Sequence, residues 1–152
     1  MKKAIFPGSF DPIHNGHVDI IKKALTVFDK LIIGIGENSQ KQYMFSLEKR
    51  IAWIKEIFEG EDKLEVKSYT GLTIDFCKKE HAQFLVRGLR SSADFEFEKS
   101  IAQTNHALMP EVETVFFLSS PAYSFIASTV IRDVVKNGGD VGGLIPVKLG
   151  NK

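Results

Sequence analysis

The sequence predicts an α/β fold, a doubly wound five-stranded parallel sheet with helices on both faces. Five short apolar runs of strand length, segments of helical period between them, and a chain of 152 residues that fits one domain carry that expectation. The first run is Ala4–Phe6, followed by a segment in which Val18, Ile21, Leu25 and Phe28 recur at helical spacing. The second run, Leu31–Ile35, is apolar at every position, as in a strand buried on both faces of a parallel sheet. Leu47, Ile51, Ile54 and Phe58 then repeat the helical spacing behind Ser46, which has the chemistry of an N-cap. The third run is Leu64–Val66, and Thr70-Gly71-Leu72-Thr73 leads from it into a helix that Thr70 or Thr73 is expected to cap. The fourth run, Phe84–Val86, precedes a helix from Ala93 to Met109 with Phe97, Ile101, Ala102 and Leu108 on one side, ended by Pro110. After the fifth run, Val115–Leu118, a last helix runs from Ser128 to Lys136, capped by Ser128 or Thr129 and stopped at Gly138-Gly139. The tail from Gly142 to Lys152 is punctuated by glycine and proline and is expected to pack loosely or fray.

Strands that alternate with helices require right-handed crossovers, hence a Rossmann-like sheet and a single domain over residues 1–152. Ligands of such folds bind at the carboxyl ends of the strands, near the point where strand order reverses. The chemistry should therefore lie in the loops after Phe6, Ile35, Ser68, Val86 and Leu118.

Composition bounds the function. With 43 % hydrophobic and 26 % charged residues the chain reads as globular, and 20 basic against 19 acidic residues leave a net charge of +1. A broad nucleic-acid surface would need a basic excess, so no nucleic-acid partner is expected. No apolar stretch reaches a membrane span and no signal segment opens the chain, which points to a cytoplasmic protein without a membrane partner. The lone Cys77 excludes an internal disulfide and reads as a small core residue; His81 and His106 carry no motif.

The loop after the first run reads Pro7-Gly8-Ser9-Phe10-Asp11-Pro12-Ile13-His14-Asn15-Gly16-His17. His14 and His17 fall three residues apart at a helix start, where free N–H groups and partial positive charge suit a phosphate. Two imidazoles add N–H donors and Ser9 a hydroxyl; a zinc site is disfavoured because no third ligand is near. Gly34-x-Gly36 lacks the third glycine of a dinucleotide fingerprint. Lys41, alone in a polar loop, reads as a solvated surface lysine, whereas Arg87 and Arg90 flank Gly88 directly after a buried run, where guanidinium forks match phosphate oxygens.

These residues carry a resemblance. GSFDPIHNGH resembles the signature of the nucleotidyltransferases with a T/H-x-G-H motif, and K-x-x-M-F at Lys41–Phe45 with RGLR…ADFE at Arg87–Glu96 resembles, within them, the bacterial phosphopantetheine adenylyltransferase family. The resemblance spans nearly the whole chain. It implies transfer of AMP from ATP to 4′-phosphopantetheine, giving dephospho-coenzyme A and pyrophosphate, with Mg²⁺ carried on ATP and held by phosphates and water instead of a protein cage. It implies that His17, Ser9, Arg90 and Lys41 are catalytic. ATP would contact Ser9, Phe10, His14, His17, Gly88, Leu89, Arg90, Glu98 and the stretch Tyr123, Ser124, Phe125, Ile126, Ala127, Ser128 and Thr129. The acceptor would contact Ser9, Lys41, Leu72, Thr73 and Arg87. A homohexamer and feedback by coenzyme A are implied in the same way. The chain departs from the family pattern at Tyr43, where proline is usual and a less rigid loop is therefore expected, at Phe97 for tyrosine, and at Ala127 for serine. Two rivals stand beside this reading: a nucleotidyltransferase for nicotinate mononucleotide or glycerol phosphate, and a catalytically silent nucleotide-binding module.

Overall fold

A computed structural model describes residues 1–150. All ten expected elements are present: β1 (Lys3–Gly8), α1 (Asn15–Leu25), β2 (Lys30–Glu37), α2 (Leu47–Ile57), β3 (Leu64–Thr70), α3 (Thr73–Lys79), β4 (Phe84–Leu89), α4 (Ser92–Leu108), β5 (Glu113–Leu118) and α5 (Ser128–Lys136). The strands form one parallel sheet in the order β3-β2-β1-β4-β5. Successive strands step outward from β1 through β2 to β3, then return to the other side of β1 as β4 and β5. The reversal falls between β1 and β4.

The period of two along each strand divides the core. Ala4 and Phe6 of β1, with Leu31, Ile33 and Ile35 of β2, pack against Val18, Ile21 and Ala24 of α1 and Ile54 of α2. Ile5, Ile32 and Leu85 point the opposite way, against Ile74, Phe76 and Cys77 of α3 and Met109 after α4. Helices thus cover both faces, and Cys77 is fully buried with its thiol pushed up to about 12 by desolvation.

The register opens the site. β1 and β2 pair from Lys3↔Lys30 through Gly8↔Ile35, but the β1–β4 ladder consists of Ala4↔Phe84 and Ile5↔Leu85. Beyond Ile5 the two central strands part at their carboxyl ends, and the crevice at the order reversal lies between them.

Three expectations need correction. α3 and α5 are not capped by threonine or serine: their N-cap residues are Leu72 and Ala127, neither making a side-chain cap bond, so Thr73 and Ser128 are the first helical residues. Thr73 bonds instead with the Tyr69 hydroxyl at 2.8 Å, which takes its oxygen away from the helix start. The expected apolar side of α4 is left uncovered in the monomer: Phe97 is 66 % exposed and Leu108 61 %, and Glu98 is the one buried residue of the helix. Helical spacing reports which residues share a face and says nothing about what covers it. The tail does not fray over its described part, because Val141 and Ile145 are buried with Ile126, Ile131 and Val135. Two carbonyls of the tail, Gly143 O and Leu144 O, accept hydrogen bonds from the Asn15 side-chain amide and backbone N–H. Ser46 does cap α2, accepting from the Lys49 N–H at 3.2 Å. Asn151 and Lys152, the end of the expected fraying segment, lie outside the described residues.

Candidate active site

The start of α1 is closed by a reciprocal pair of imidazoles. The His17 N–H donates to His14 Nδ1 at 3.3 Å, and the His14 N–H donates to His17 Nδ1 at 3.1 Å. This is a capping box with histidine in both roles. Both Nδ1 atoms accept, so each neutral ring carries its proton on Nε2. The rings stack with centroids 3.6 Å apart, and Gly16 permits it, since a Cβ there would lie 2.9 Å from the His14 ring. Burial, with Arg90 and Arg132 nearby, lowers the His14 pKa to about 4; burial and His14 itself hold His17 well below its usual value. At neutral pH both are uncharged donors through Nε2–H.

Two cavities meet over the sheet edge. The first, about 370 Å³, is lined by Phe10, His14, His17, Arg90, Tyr123, Ile126, Ala127, Ser128 and Thr129, among others. The second, about 400 Å³, is lined by Ser9, Asn38, Lys41, Tyr43, Tyr69, Thr73 and Asn105, among others. Pro7, Gly8, Arg87 and Glu98 line both. They stand where β1 and β4 separate. Gly88 lines the first cavity with its Cα against α1, since a Cβ would meet Ile20 at 2.9 Å.

The cations are held, not loose. Arg87 donates through Nε and Nη2 to both oxygens of Glu98 at 2.9 and 2.7 Å, and through Nη1 to Pro7 O at 3.0 Å, which spans the gap between the central strands. Arg90 donates to Asp94 through Nε and Nη2 and to Ile126 O through Nη1. Lys41 Nζ donates to Ser9 Oγ at 3.1 Å, so the loops after β1 and β2 present one shared cation and hydroxyl.

Of the residues the sequence singled out, Leu89, Leu72, Ser124 and Phe125 do not line the two cavities. Leu89 ends β4 and its carbonyl accepts from the Ser119 N–H. Leu72 is 59 % and Phe125 69 % exposed, and the Ser124 hydroxyl donates to Pro121 O. Tyr43 restrains its loop in place of proline: its hydroxyl accepts from the Asn38 N–H and donates to Gly36 O.

Sequence reading missed Asp11, Arg50 and Arg132. The buried Asp11 carboxylate accepts from the Met44 and Phe45 N–H groups at 2.8 and 2.9 Å, and its carbonyl accepts from Arg132 Nη1 at 3.1 Å. It ties the loop before α2 and helix α5 to the loop after β1. An aspartate before proline reads as turn chemistry, so no local signal marks that role.

Comparison with known proteins places the chain in a family. The Cytidylyltransferase-like family profile matches residues 5–134. A phosphopantetheine adenylyltransferase of Flavobacterium psychrophilum is 57 % identical over 146 residues, covering 96 % of each chain. This chain belongs to the phosphopantetheine adenylyltransferase family. A more distant phosphopantetheine adenylyltransferase, from Leptospira biflexa, is 41 % identical over 97 % of this chain and 92 % of its own length. Among solved structures, a putative nicotinate-nucleotide adenylyltransferase from Vibrio parahaemolyticus superposes with a TM-score of 0.69 at 19 % identity, over 95 % of this chain and 87 % of that one. A bifunctional NMN adenylyltransferase/ADP ribose pyrophosphatase from Francisella tularensis gives 0.74 at 20 %, over 95 % of this chain and 44 % of that one. These two share the fold of the phosphopantetheine adenylyltransferase family.

Proposed function

We propose that the protein seats ATP in the first cavity and 4′-phosphopantetheine in the second, and joins them at Gly8 and Arg87. As an adenylyltransferase of this family, it moves the adenylyl group of ATP to 4′-phosphopantetheine, forming dephospho-coenzyme A and pyrophosphate. The observation that carries this reading is the pair of cavities sharing Pro7, Gly8, Arg87 and Glu98. Two reactants held side by side need no covalent relay through the enzyme.

A phosphate oxygen of the acceptor attacks the α-phosphorus of ATP, and the bond from that phosphorus to the oxygen bridging to pyrophosphate breaks. The acceptor phosphate is anionic at neutral pH, so no strong base is required. Catalysis then consists of alignment and of stabilising charge on the departing pyrophosphate. His17 and His14 offer Nε2–H donors, and Arg90 offers charge from the other wall of the same cavity. Lys41, Ser9 and Arg87 hold the acceptor phosphate, and Thr73 faces its pantetheine arm. Gly88, Glu98, Tyr123 and the stretch from Ile126 to Thr129 enclose the nucleotide.

Mg²⁺ arrives with ATP as part of the substrate. Among the described residues no three His, Cys, Asp or Glu side chains gather to hold a metal, and Asp94 and Glu98 are each engaged by an arginine. Phosphate and water oxygens suit its preference.

Coenzyme A combines an adenosine part with the pantetheine arm. It therefore competes for both cavities, which supports feedback inhibition. The exposed Phe97, Ile101 and Leu108 on α4 support a homohexamer in which copies of the chain cover one another's apolar faces. The described residues contain no helix long and apolar enough to cross a membrane, and the cytoplasm is where ATP and the acceptor are available.

Pyrophosphate release from Mg-ATP with 4′-phosphopantetheine, nicotinate mononucleotide and glycerol phosphate in parallel tests the reading. Turnover with phosphopantetheine is expected. Preferential turnover of either other acceptor would overturn the substrate assignment, and ATP binding without turnover of any would mark a silent module.

A further inference from the structure

Lys41 sits exposed on the loop between β2 and α2, where nothing of the regular fold fixes it. Behind it stand Tyr43, whose ring also lines the second cavity, and the buried Arg50, which lines neither cavity. We propose that Tyr43 and Arg50 form a positioning pair that sets Lys41 and Ser9 for a phosphate-bearing acceptor; the proposal rests on the acceptor reading of the second cavity.

Arg50 is 2 % exposed, and among the described residues it forms no ion pair with a carboxylate, unlike Arg87 and Arg90. A buried guanidinium without an opposing charge is costly unless its donors are spent on fixed dipoles. Its Nε donates to Phe45 O at 3.1 Å and its Nη1 to Ser9 O at 3.0 Å. Its Cζ lies over the Tyr43 ring, 4.3 Å from the centroid. One flat group thus joins the far end of the Lys41 loop, the residue whose hydroxyl meets Lys41, and the ring inside the loop. A lysine, with a single compact charge and no flat face, cannot make all three contacts.

Tyr43 carries the linkage to the near end of the loop. Its hydroxyl accepts from the Asn38 N–H at 2.9 Å and donates to Gly36 O at 3.2 Å. Asn38 in turn accepts the Lys41 N–H at its carbonyl and the Gln40 N–H at its side chain, both at 3.0 Å. The chain from Ser9 through Arg50 and Tyr43 to Asn38 and Lys41 is therefore continuous. It restrains the loop by a hydroxyl and a stacked cation where a proline would restrain it through φ.

The pair touches no reacting atom, so its removal should loosen the acceptor and leave ATP untouched. Steady-state kinetics of Y43F and R50K are measured with each substrate varied, alongside thermal unfolding and amide exchange of Asn38. Y43F keeps the stack and loses the hydroxyl bonds. Its KM for 4′-phosphopantetheine should rise about 3- to 10-fold, as for one or two lost hydrogen bonds. The KM for ATP should stay constant and Asn38 exchange should quicken. R50K should raise the acceptor KM further. A purely structural role would lower the unfolding temperature without separating the two KM values, and that result, or equal rises in both, would overturn the proposal. If the wild-type protein turned over no phosphopantetheine, the substrate assignment would fail by itself. The same comparison would then be made on the acceptor it does use, and an unchanged KM for that acceptor would overturn the pair.

Discussion

At the scale of single residues, the proposed chemistry turns on the tautomers of His14 and His17. Each Nδ1 is occupied as an acceptor, so each ring is committed to donating through Nε2. His17→Ala should lower kcat by about 10²- to 10³-fold, the loss expected for one preorganised donor to a developing charge, with little change in the KM for ATP. Unchanged kcat would remove His17 from the transition state. Protonation has a stability consequence as well. The His14 pKa is near 4 in the folded protein and near 6.5 unfolded, so between those values the unfolded chain binds more protons. Stability should be constant above pH 6.5 and fall by about 3 kcal/mol as pH drops toward 4, with His17 adding to the slope. Chemical denaturation across that range checks the sign. His14→Asn, which keeps a cap acceptor without the titration, should flatten the slope. Arg87 and Glu98 form the second decisive pair. Arg87→Ala should raise the acceptor KM about 10- to 100-fold, in part because it leaves the Glu98 carboxylate unpaired beside an anionic substrate. Adding Glu98→Gln should recover part of that loss. A selective rise in the KM for ATP would reverse the assignment of Arg87.

At the scale of elements, the loops matter more than the helices they precede. Every expected strand and helix is present because the period of the apolar residues reports the local conformation, as in the wholly apolar Leu31–Ile35. The motif loops were equally legible: Ser9, His17, Lys41, Arg87 and Arg90 are brought to the two adjoining cavities by the parting of β1 and β4. Contacts between distant loops were not legible. Nothing in the neighbourhood of Asp11 announces that its carboxylate will cap two N–H groups more than thirty residues away. The tail misled for the same reason. Glycine and proline forecast a loose end, whereas Val141 and Ile145 complete a small core against α5 whose edge holds Asn15. Ile145→Ala should cost about 2–3 kcal/mol by cavity formation, read as a lower denaturation midpoint. It should also reduce kcat, because Asn15 begins the helix that carries both histidines. Loss of stability with unchanged kcat would separate the tail from the site.

At the scale of the whole molecule, near-neutral net charge is compatible with the proposed phosphate site, because Lys41, Arg87 and Arg90 stand together over one sheet edge. Charge arithmetic therefore excludes a basic surface and leaves a basic pocket open. The exposed apolar side of α4 is the other global feature, and sedimentation of the purified protein should give six copies, with Phe97→Glu or Leu108→Glu shifting the distribution to smaller species. The central claim is that both reactants lie together and react directly. Exchange of labelled pyrophosphate into ATP tests it, measured with and without 4′-phosphopantetheine. Direct transfer requires no exchange until the acceptor is added. Exchange with Mg-ATP and pyrophosphate alone would reveal an adenylylated enzyme and contradict the two-cavity account.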